Sequence, residues 1–427
     1  MTAVMTSRIP AAASSGVQAA RGEPQFPKVA VVTETWPPEI NGVALTLSRL
    51  VNGLRETGYA VEVVRPRQAG DRPLSGTSGP AAEEHTVPGV PLPGYPGLRA
   101  GLPVRRRLLR HWKRARPGVV HIATEGPLGH AALSAARRLG IPVSSAFHTR
   151  FDGYMGYYGM AWARPLALAF LRRFHNRCDC TLVPTRALAS ELESSGFRGI
   201  RVLERGVDTG LFSPARRSWP LRDEWEGGVD VPVLISVGRL APEKAPEDVI
   251  RAWEAVRARL PRARLVMVGD GPSRAALEAR HPEVIFTGMR TGADLAAHYA
   301  SADLFVFASR SETFGNVVIE AMASGLPVLA FDEAAAREHL REGENGVRVP
   351  LSGNPADDSE AFAAAALDLA ERRRRDRLAW RVMGQAARQR AEGLDWERIV
   401  GRFGARLTEL GRIGGGEGQH ASAATGR

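Results

Sequence analysis

Lysine is almost missing from this chain. Of 57 basic residues only Lys28, Lys113 and Lys244 are lysines, so each stands out against an arginine background. Cysteine is as scarce: the two present, Cys178 and Cys180, lie together in "NRCDCTLV". A C-x-C pair gives neither a disulfide framework nor, without a second pair, a zinc site. They read as reduced thiols at the start of a buried strand, which suits a cytosolic compartment. No apolar run approaches the ~18 residues that would cross a bilayer. The G-x-G-x-x-G dinucleotide fingerprint is missing, which disfavours a dehydrogenase. No D-x-D pair of metal-binding carboxylates stands at a strand end, so neither a metal nor a cofactor is expected. The net charge is +11, but no nucleic-acid-binding motif accompanies it, and nucleic acid is not an expected partner.

What is present is an alternation of short apolar runs with helical patterns. The runs at 28–35, 60–66, 119–124, 141–149 and 180–185 form one series, and those at 231–239, 263–270, 284–288, 303–309 and 326–332 a second. They are continuous rather than alternating, as in parallel strands covered on both faces. Strand–helix–strand repetition then implies an α/β fold of two facing, doubly wound Rossmann-like domains. The boundaries expected are a disordered tail at 1–27, a first domain at 28–212, a linker at 213–230 rich in Pro, Gly and charge, and a second domain at 231–392. Residues 393–412 carry Trp396, Ile399, Val400, Phe403, Leu407 and Leu410 at helical spacing. A helix with such a face beyond a complete domain must pack somewhere, and it is expected to cross back onto the first domain. Residues 413–427 are low in complexity and expected as a second tail.

In such folds ligands bind at the C-terminal ends of the strands. After the first strand, Asn41-Gly42-Val43 open a helix, and a helix start with a glycine is an anion site or an ordinary cap. After the first strand of the second series, "SVGRLAPEK" places Gly238, Arg239 and Lys244 around a turn, where two cations suit a diphosphate. Gly271 in "VMVGDGP" and Met289 in "FTGMR" sit in the next two strand-end turns. The loop "SRSETFGNVVIEAMASGLPV" is the most unusual. It holds Glu312 and Glu320 in an otherwise apolar run, with Asn316 read as the N-cap of the helix between them. Carboxylates accept hydrogen bonds from paired hydroxyls, so one acid for a sugar and one for a ribose would account for both.

"GRLAPEK", "VGDGP", the E-x7-E stretch above and "GENGVRV", in this order, resemble the retaining glycosyltransferases of the GT-B fold, family 4. "TETWPPEINGVALTLSRL", "VVHIATEGPLGHAAL" and "AFHTRFDGYMGYYG" are similar to the branch holding bacterial GDP-mannose-dependent α-mannosyltransferases and related lipid glycosyltransferases. The resemblance implies a nucleotide-sugar donor, GDP-mannose or a UDP-hexose, and a lipid or glycan acceptor. It implies that Glu312 binds donor-sugar hydroxyls and Glu320 the ribose, and that Arg239 and Lys244 stabilise the departing diphosphate. Asn41, Gly42 and Val43 would close on that diphosphate. His148 would lie beside the reacting sugar, and the backbone of Phe314, Gly315 and Asn316 would touch it. Gly238, Gly271 and Met289 complete the donor-binding set. "AFDEAAAREHL" departs from the family by carrying alanines where many relatives have a glycine pair.

The segment 105–116, "RRRLLRHWKRAR", bears on the acceptor. Its basic residues, with Leu108, Leu109 and Trp112, suit a helix lying on an anionic membrane, Trp112 adding apolar burial in the lipid. It suits equally a solvated helix of the first domain. The first reading places the protein in the cytoplasm at the inner face of the plasma membrane. The alternatives are a UDP-sugar-dependent transferase with a soluble or polysaccharide acceptor, and a non-catalytic nucleotide-sugar binder.

Overall fold

The computed structural model describes residues 26–39, 41–68, 71, 84–91, 99–148, 164–310 and 312–423. Residues 1–25 of the tail expected at 1–27, and most of "AFHTRFDGYMGYYG", lie outside the described residues. Two parallel sheets carry the fold. The first consists of β1 (Val29–Val32), β2 (Val61–Pro66), β3 (Glu84–Val87), β6 (Val119–Ile122), β7 (Val143–Ala146), β8 (Cys180–Val183) and β9 (Ile200–Val202), in the order 3-2-1-6-7-8-9. β4 (Gly89–Pro91) and β5 (Arg99–Gly101) pair as a small antiparallel hairpin beside it. The second sheet holds β10 (Val233–Val237), β11 (Arg264–Val268), β12 (Ile285–Gly288), β13 (Leu304–Phe307), β14 (Val328–Phe331) and β15 (Gly346–Val349), in the order 12-11-10-13-14-15. In each sheet the strand order reverses at the first strand, β1 or β10, which is where a doubly wound fold opens its ligand crevice.

All ten expected strands are present, and most of their residues are fully buried, as helices on both faces require. Both cysteines are buried and free, and burial pushes the Cys178 thiol up to about 12 and Cys180 to about 11. Among the described residues no helix is long and apolar enough to cross a membrane.

The helix Trp396–Ala423 does return to the first domain. Ile399, Val400, Phe403, Leu407 and Leu410 join the core built on Val29, Val31 and Leu47. Each such side chain is worth roughly 1.5–3 kcal/mol when buried. The approach is close: a Cβ on Gly53 would sit 2.5 Å from Val400 Cγ2, so only glycine fits there. Tyr59 Oη, just before β2, lies 2.8 Å from Thr408 Oγ1 and adds a second tie to the last helix. The two segments that cross between domains run side by side, bridged at Val207 and Asp395, with Val207 N donating to Leu394 O at 2.9 Å. Asp208 fixes the first crossing by accepting from Leu211 N and pairing with Arg49, both at 2.9 Å.

Several boundaries differ from expectation. Phe26 already belongs to the first domain, stacked on Tyr59 with ring centroids 4.2 Å apart. The stretch 213–230 is no free linker. Trp225 is buried in the second core, and Arg222, also buried, donates to Ser301 O and Asp303. Arg217 pairs with the same Asp303 at 3.2 Å, while Arg216, Asp223, Glu224, Glu226 and Asp230 stay exposed. The last helix continues past 412 to Ala423.

The basic helix, Arg105–Ala115, also corrects its expectation. Leu108 and Trp112 point into the protein, and Trp112 Nε1 donates to Glu62 Oε1 at 2.9 Å. Trp112 therefore has no apolar surface to offer a membrane. The outward face is Arg105, Arg106, Arg110, Lys113 and Arg114.

Candidate active site

The strands of both sheets end at one cleft, and two helix starts meet across it. Helix Gly42–Glu56 begins after β1, and helix Asn316–Ala323 after β13. A Cβ on Gly42 would lie 3.8 Å from Asn316 Nδ2. Asn41 is the N-cap of the first helix: its Oδ1 accepts from Val43 N at 3.1 Å and Ala44 N at 2.9 Å. Asn316 is not the N-cap of the second. Gly315 holds that place in the left-handed region, φ +83°, with no side-chain cap, and Asn316 is the first helical residue. Its Oδ1 is buried and without a hydrogen-bond partner.

The second domain supplies the charges. Lys244, on the short 3-10 turn Pro242–Lys244 after β10, pairs with Glu312 on the loop after β13. Arg239 Nη1 lies 3.5 Å from Glu243 Oε1; Glu243 is buried, while the Arg239 side chain is 42% exposed. Glu320, a turn inside its helix, accepts from Tyr299 Oη at 3.0 Å. Burial pushes the Glu320 carboxyl up to about 7, the hydrogen bond from Tyr299 opposing. Burial, and then the Glu320 carboxylate, hold the Tyr299 hydroxyl well above its ordinary value.

Gly271 has a structural reason besides the candidate ligand, since a Cβ there would meet Leu240 O at 2.4 Å. It lets the loop after β11 lie against the Gly238–Leu240 loop, so the two strand ends stay adjacent. Met289, after β12, is 57% exposed. Phe314 is buried, its carbonyl accepting from Ala335 N at 2.8 Å. Ala334, in the stretch where the family often carries glycine, adopts φ +45°, a region that disfavours a Cβ by roughly 1–2 kcal/mol.

His148 follows β7 and faces a residue the sequence did not flag. Arg205 Nη2 lies 3.0 Å from His148 Nδ1. Arg205 Nη1 donates to Thr46 Oγ1 at 2.7 Å, and Thr46 Oγ1 donates to Gly42 O at 2.7 Å. The guanidinium carbon lies 5.9 Å from the centroid of the Phe314 ring, which belongs to the other domain. Burial pushes Arg205 down to about 10, the Glu312 carboxylate opposing. Burial and then the Arg205 charge hold the His148 imidazole well below its ordinary value, so it is neutral. Arg205 stands in "ERGVD", just after β9, and that strand-end position is the signal that could have found it.

Lys244, Glu312, Asn316, Gly42, Arg205 and His148 thus form one continuous group, with Arg239 on the loop after β10, Glu320 inside the helix after β13 and Met289 further along the sheet edge. Among the described residues no three His, Cys, Asp or Glu side chains converge as metal ligands would. Two helix starts and two cations favour a polyanion, and carboxylates beside them favour hydroxyl groups. The arrangement can hold a phosphate-linked sugar and draw negative charge away from it.

Known proteins are similar to this chain in sequence and in fold. A family model described as Glycosyltransferase Family 4 matches residues 40–211, and one described as Glycosyl transferases group 1 matches residues 231–372. The chain is 35% identical over 384 residues to a GDP-mannose-dependent alpha-mannosyltransferase of Mycolicibacterium smegmatis, covering 89% of this chain and 98% of the relative. It is 26% identical over 340 residues to an alpha-monoglucosyldiacylglycerol synthase of Acholeplasma laidlawii, covering 75% of this chain and 84% of that protein. Among solved structures, sucrose-phosphate synthase of Thermosynechococcus elongatus superposes with a TM-score of 0.69 at 20% identity, covering 90% of this chain and 99% of that one.

Proposed function

The chain belongs to glycosyltransferase family 4, and on that premise we propose that this enzyme moves a mannosyl group from GDP-mannose, with retention, to a hydroxyl of a lipid or lipid-borne glycan. The observation that supports it most is the meeting of two helix starts with the Lys244–Glu312 pair at the cleft. The donor assignment is supported by the mannosyltransferase relative, matched over nearly its whole length.

In this reading the diphosphate lies between the starts at Gly42 and Asn316, and Glu320 takes the ribose hydroxyls. The bond from the anomeric carbon to the phosphate oxygen breaks, and its electron pair leaves with the phosphate. Arg239, Lys244 and the N–H groups of the helix starts oppose the growing negative charge, so they act most strongly as the bond breaks. The acceptor oxygen bonds to the anomeric carbon on the same face, and its proton passes to the departing phosphate. Glu312 is held by Lys244 on the diphosphate side, which suits binding of sugar hydroxyls rather than attack from the acceptor side.

The outward face of Arg105–Ala115 supports an anionic lipid surface as the working place, at the cytoplasmic side of the plasma membrane. Each basic residue near such a surface contributes about 1 kcal/mol, and with Trp112 turned inward the attraction is electrostatic.

The test is hydrolysis of a nucleotide-sugar panel, followed by transfer to acceptor lipid in anionic and in zwitterionic vesicles. GDP-mannose should turn over fastest, and anionic vesicles should accelerate transfer at low salt only. Preference for a UDP-hexose overturns the donor. Equal rates on both vesicle types favour a soluble acceptor, and nucleotide binding without turnover of any donor favours a non-catalytic role.

A further inference from the structure

We propose that Arg205 is a positioning residue of the transfer reaction: it fixes His148 in the tautomer that offers Nε2–H to the sugar of the donor. The proposal rests on the reading above that His148 lies beside that sugar.

A guanidinium can only donate hydrogen bonds. Arg205 Nη2 lies 3.0 Å from His148 Nδ1, so Nδ1 must accept. In a neutral imidazole that leaves the proton on Nε2. The charged imidazolium would set a second N–H, and a second positive charge, against the guanidinium. Nε2 is itself buried and has no hydrogen-bond partner. A buried donor left unpaired is costly, and that cost is removed when a ligand oxygen accepts from it. The fold therefore keeps a defined donor ready for an acceptor atom that the described protein residues do not provide. A sugar hydroxyl or ring oxygen has the needed lone pair.

Arg205 is also held by the very elements that hold the diphosphate. Thr46, one turn into the helix whose start faces the cleft, receives Nη1 at 2.7 Å, and Gly42 O lies 3.4 Å from the same nitrogen. The Phe314 ring, from the loop that carries Glu312, covers the guanidinium from the second domain. One planar cation thus sets the orientation of His148 relative to both loops. A point charge at the same place could replace the bond to Nδ1 but not the whole fork.

The direct measurement is the tautomer. In the parent enzyme labelled with 15N-histidine, the His148 signal, assigned by its loss in His148→Asn, should show the proton on Nε2. Arg205→Met, which cannot donate, should mix the tautomers. It should lower kcat for GDP-mannose about 10- to 100-fold while the donor KM stays within about threefold. Arg205→Lys should restore the Nε2–H tautomer and most of kcat. A proton on Nδ1 in the parent overturns the proposal, and that spectrum needs no variant to fold. A parental kcat in Arg205→Met overturns it as well, as does a lost kcat with an unchanged tautomer. If His148→Asn itself turns over at the parental rate, the reading beneath the proposal is what fails.

Discussion

Two helices aim their first turns at the same cleft, and they are finished differently. The one from the first domain is closed by its own side chain, Asn41 Oδ1 occupying the amides of Val43 and Ala44. The one from the second domain starts behind a left-handed Gly315, has no side-chain cap, and carries an Asn316 Oδ1 with no partner. Every helix start leaves up to four N–H groups without intrahelical partners. Where the protein supplies the cap, the helix is complete before a ligand comes and contributes its dipole. Where it does not, the ligand completes the helix. The second start is thus the one that binding energy should reach directly, and it is also where the acidic residues stand.

The largest test of this contrast is Glu312→Gln, in the loop leading to the open start. It should lower transfer by on the order of 100-fold or more, since it weakens an interaction at the reacting sugar. The nucleotide alone should bind as well or better, because Lys244 loses its competing carboxylate. Near-parental transfer, measured with saturating donor, would dissolve the distinction between the two ends.

A second test uses the other glutamate. Held at about 7 in the folded protein, Glu320 carries a proton below that pH that a free carboxyl would have lost near 4.5. Folding alone therefore takes up a proton in that window, and this group's contribution to stability declines as pH rises through it. Ribose hydroxyls donate and so prefer the ionised carboxylate. Nucleotide affinity should then rise about tenfold from pH 6 to pH 8, read by calorimetry. Glu320→Gln should bind weakly with a flat profile, and a slope that survives the change would assign it to another group, such as Glu34, which burial also pushes up to about 7.

The smallest effects separate the two asparagines. Asn41→Ala should cost about 1 kcal/mol of stability, a fall of a few degrees in Tm, with little change in nucleotide affinity. Asn316→Ala should do the reverse, leaving Tm in place and weakening nucleotide binding about fivefold, roughly one hydrogen bond. Equal falls in Tm would mean that both starts are capped by protein.

The sequence made the interior strands legible, because a strand covered on both faces must be apolar throughout. The strands it did not reveal, Glu84–Val87, Ile200–Val202, Gly346–Val349 and the small hairpin, are short and stand at sheet edges or outside the sheets, where polar residues are tolerated. Leu108 and Trp112, four residues apart, share one buried helical face. Which way that face turned depended on Glu62, a buried partner from another strand. Asn316 was read as a cap because Asn caps well, yet Gly315 in the left-handed region took that place and moved the helix start by one residue. The loops that carry Lys244 and Glu312 stood out because their spacing is recognisable. Arg205 did not, because its partners His148, Thr46 and Phe314 are brought within reach of it only by the fold.

The double crossing at Val207 and Asp395 has a consequence for how the enzyme is made. The first domain is encoded in two pieces, its sheet early and the helix that covers Val29, Val31 and Leu47 only after the whole second domain. On the ribosome, at ~5–20 residues per second, the early sheet must wait tens of seconds with that face uncovered. The second domain, encoded in one stretch, can fold during this wait. The site at the cleft therefore matures last, when residues 396–410 leave the exit tunnel and seat against β1. A nascent chain stalled before Trp396 would present a finished second domain beside a first domain with one face of its sheet uncovered.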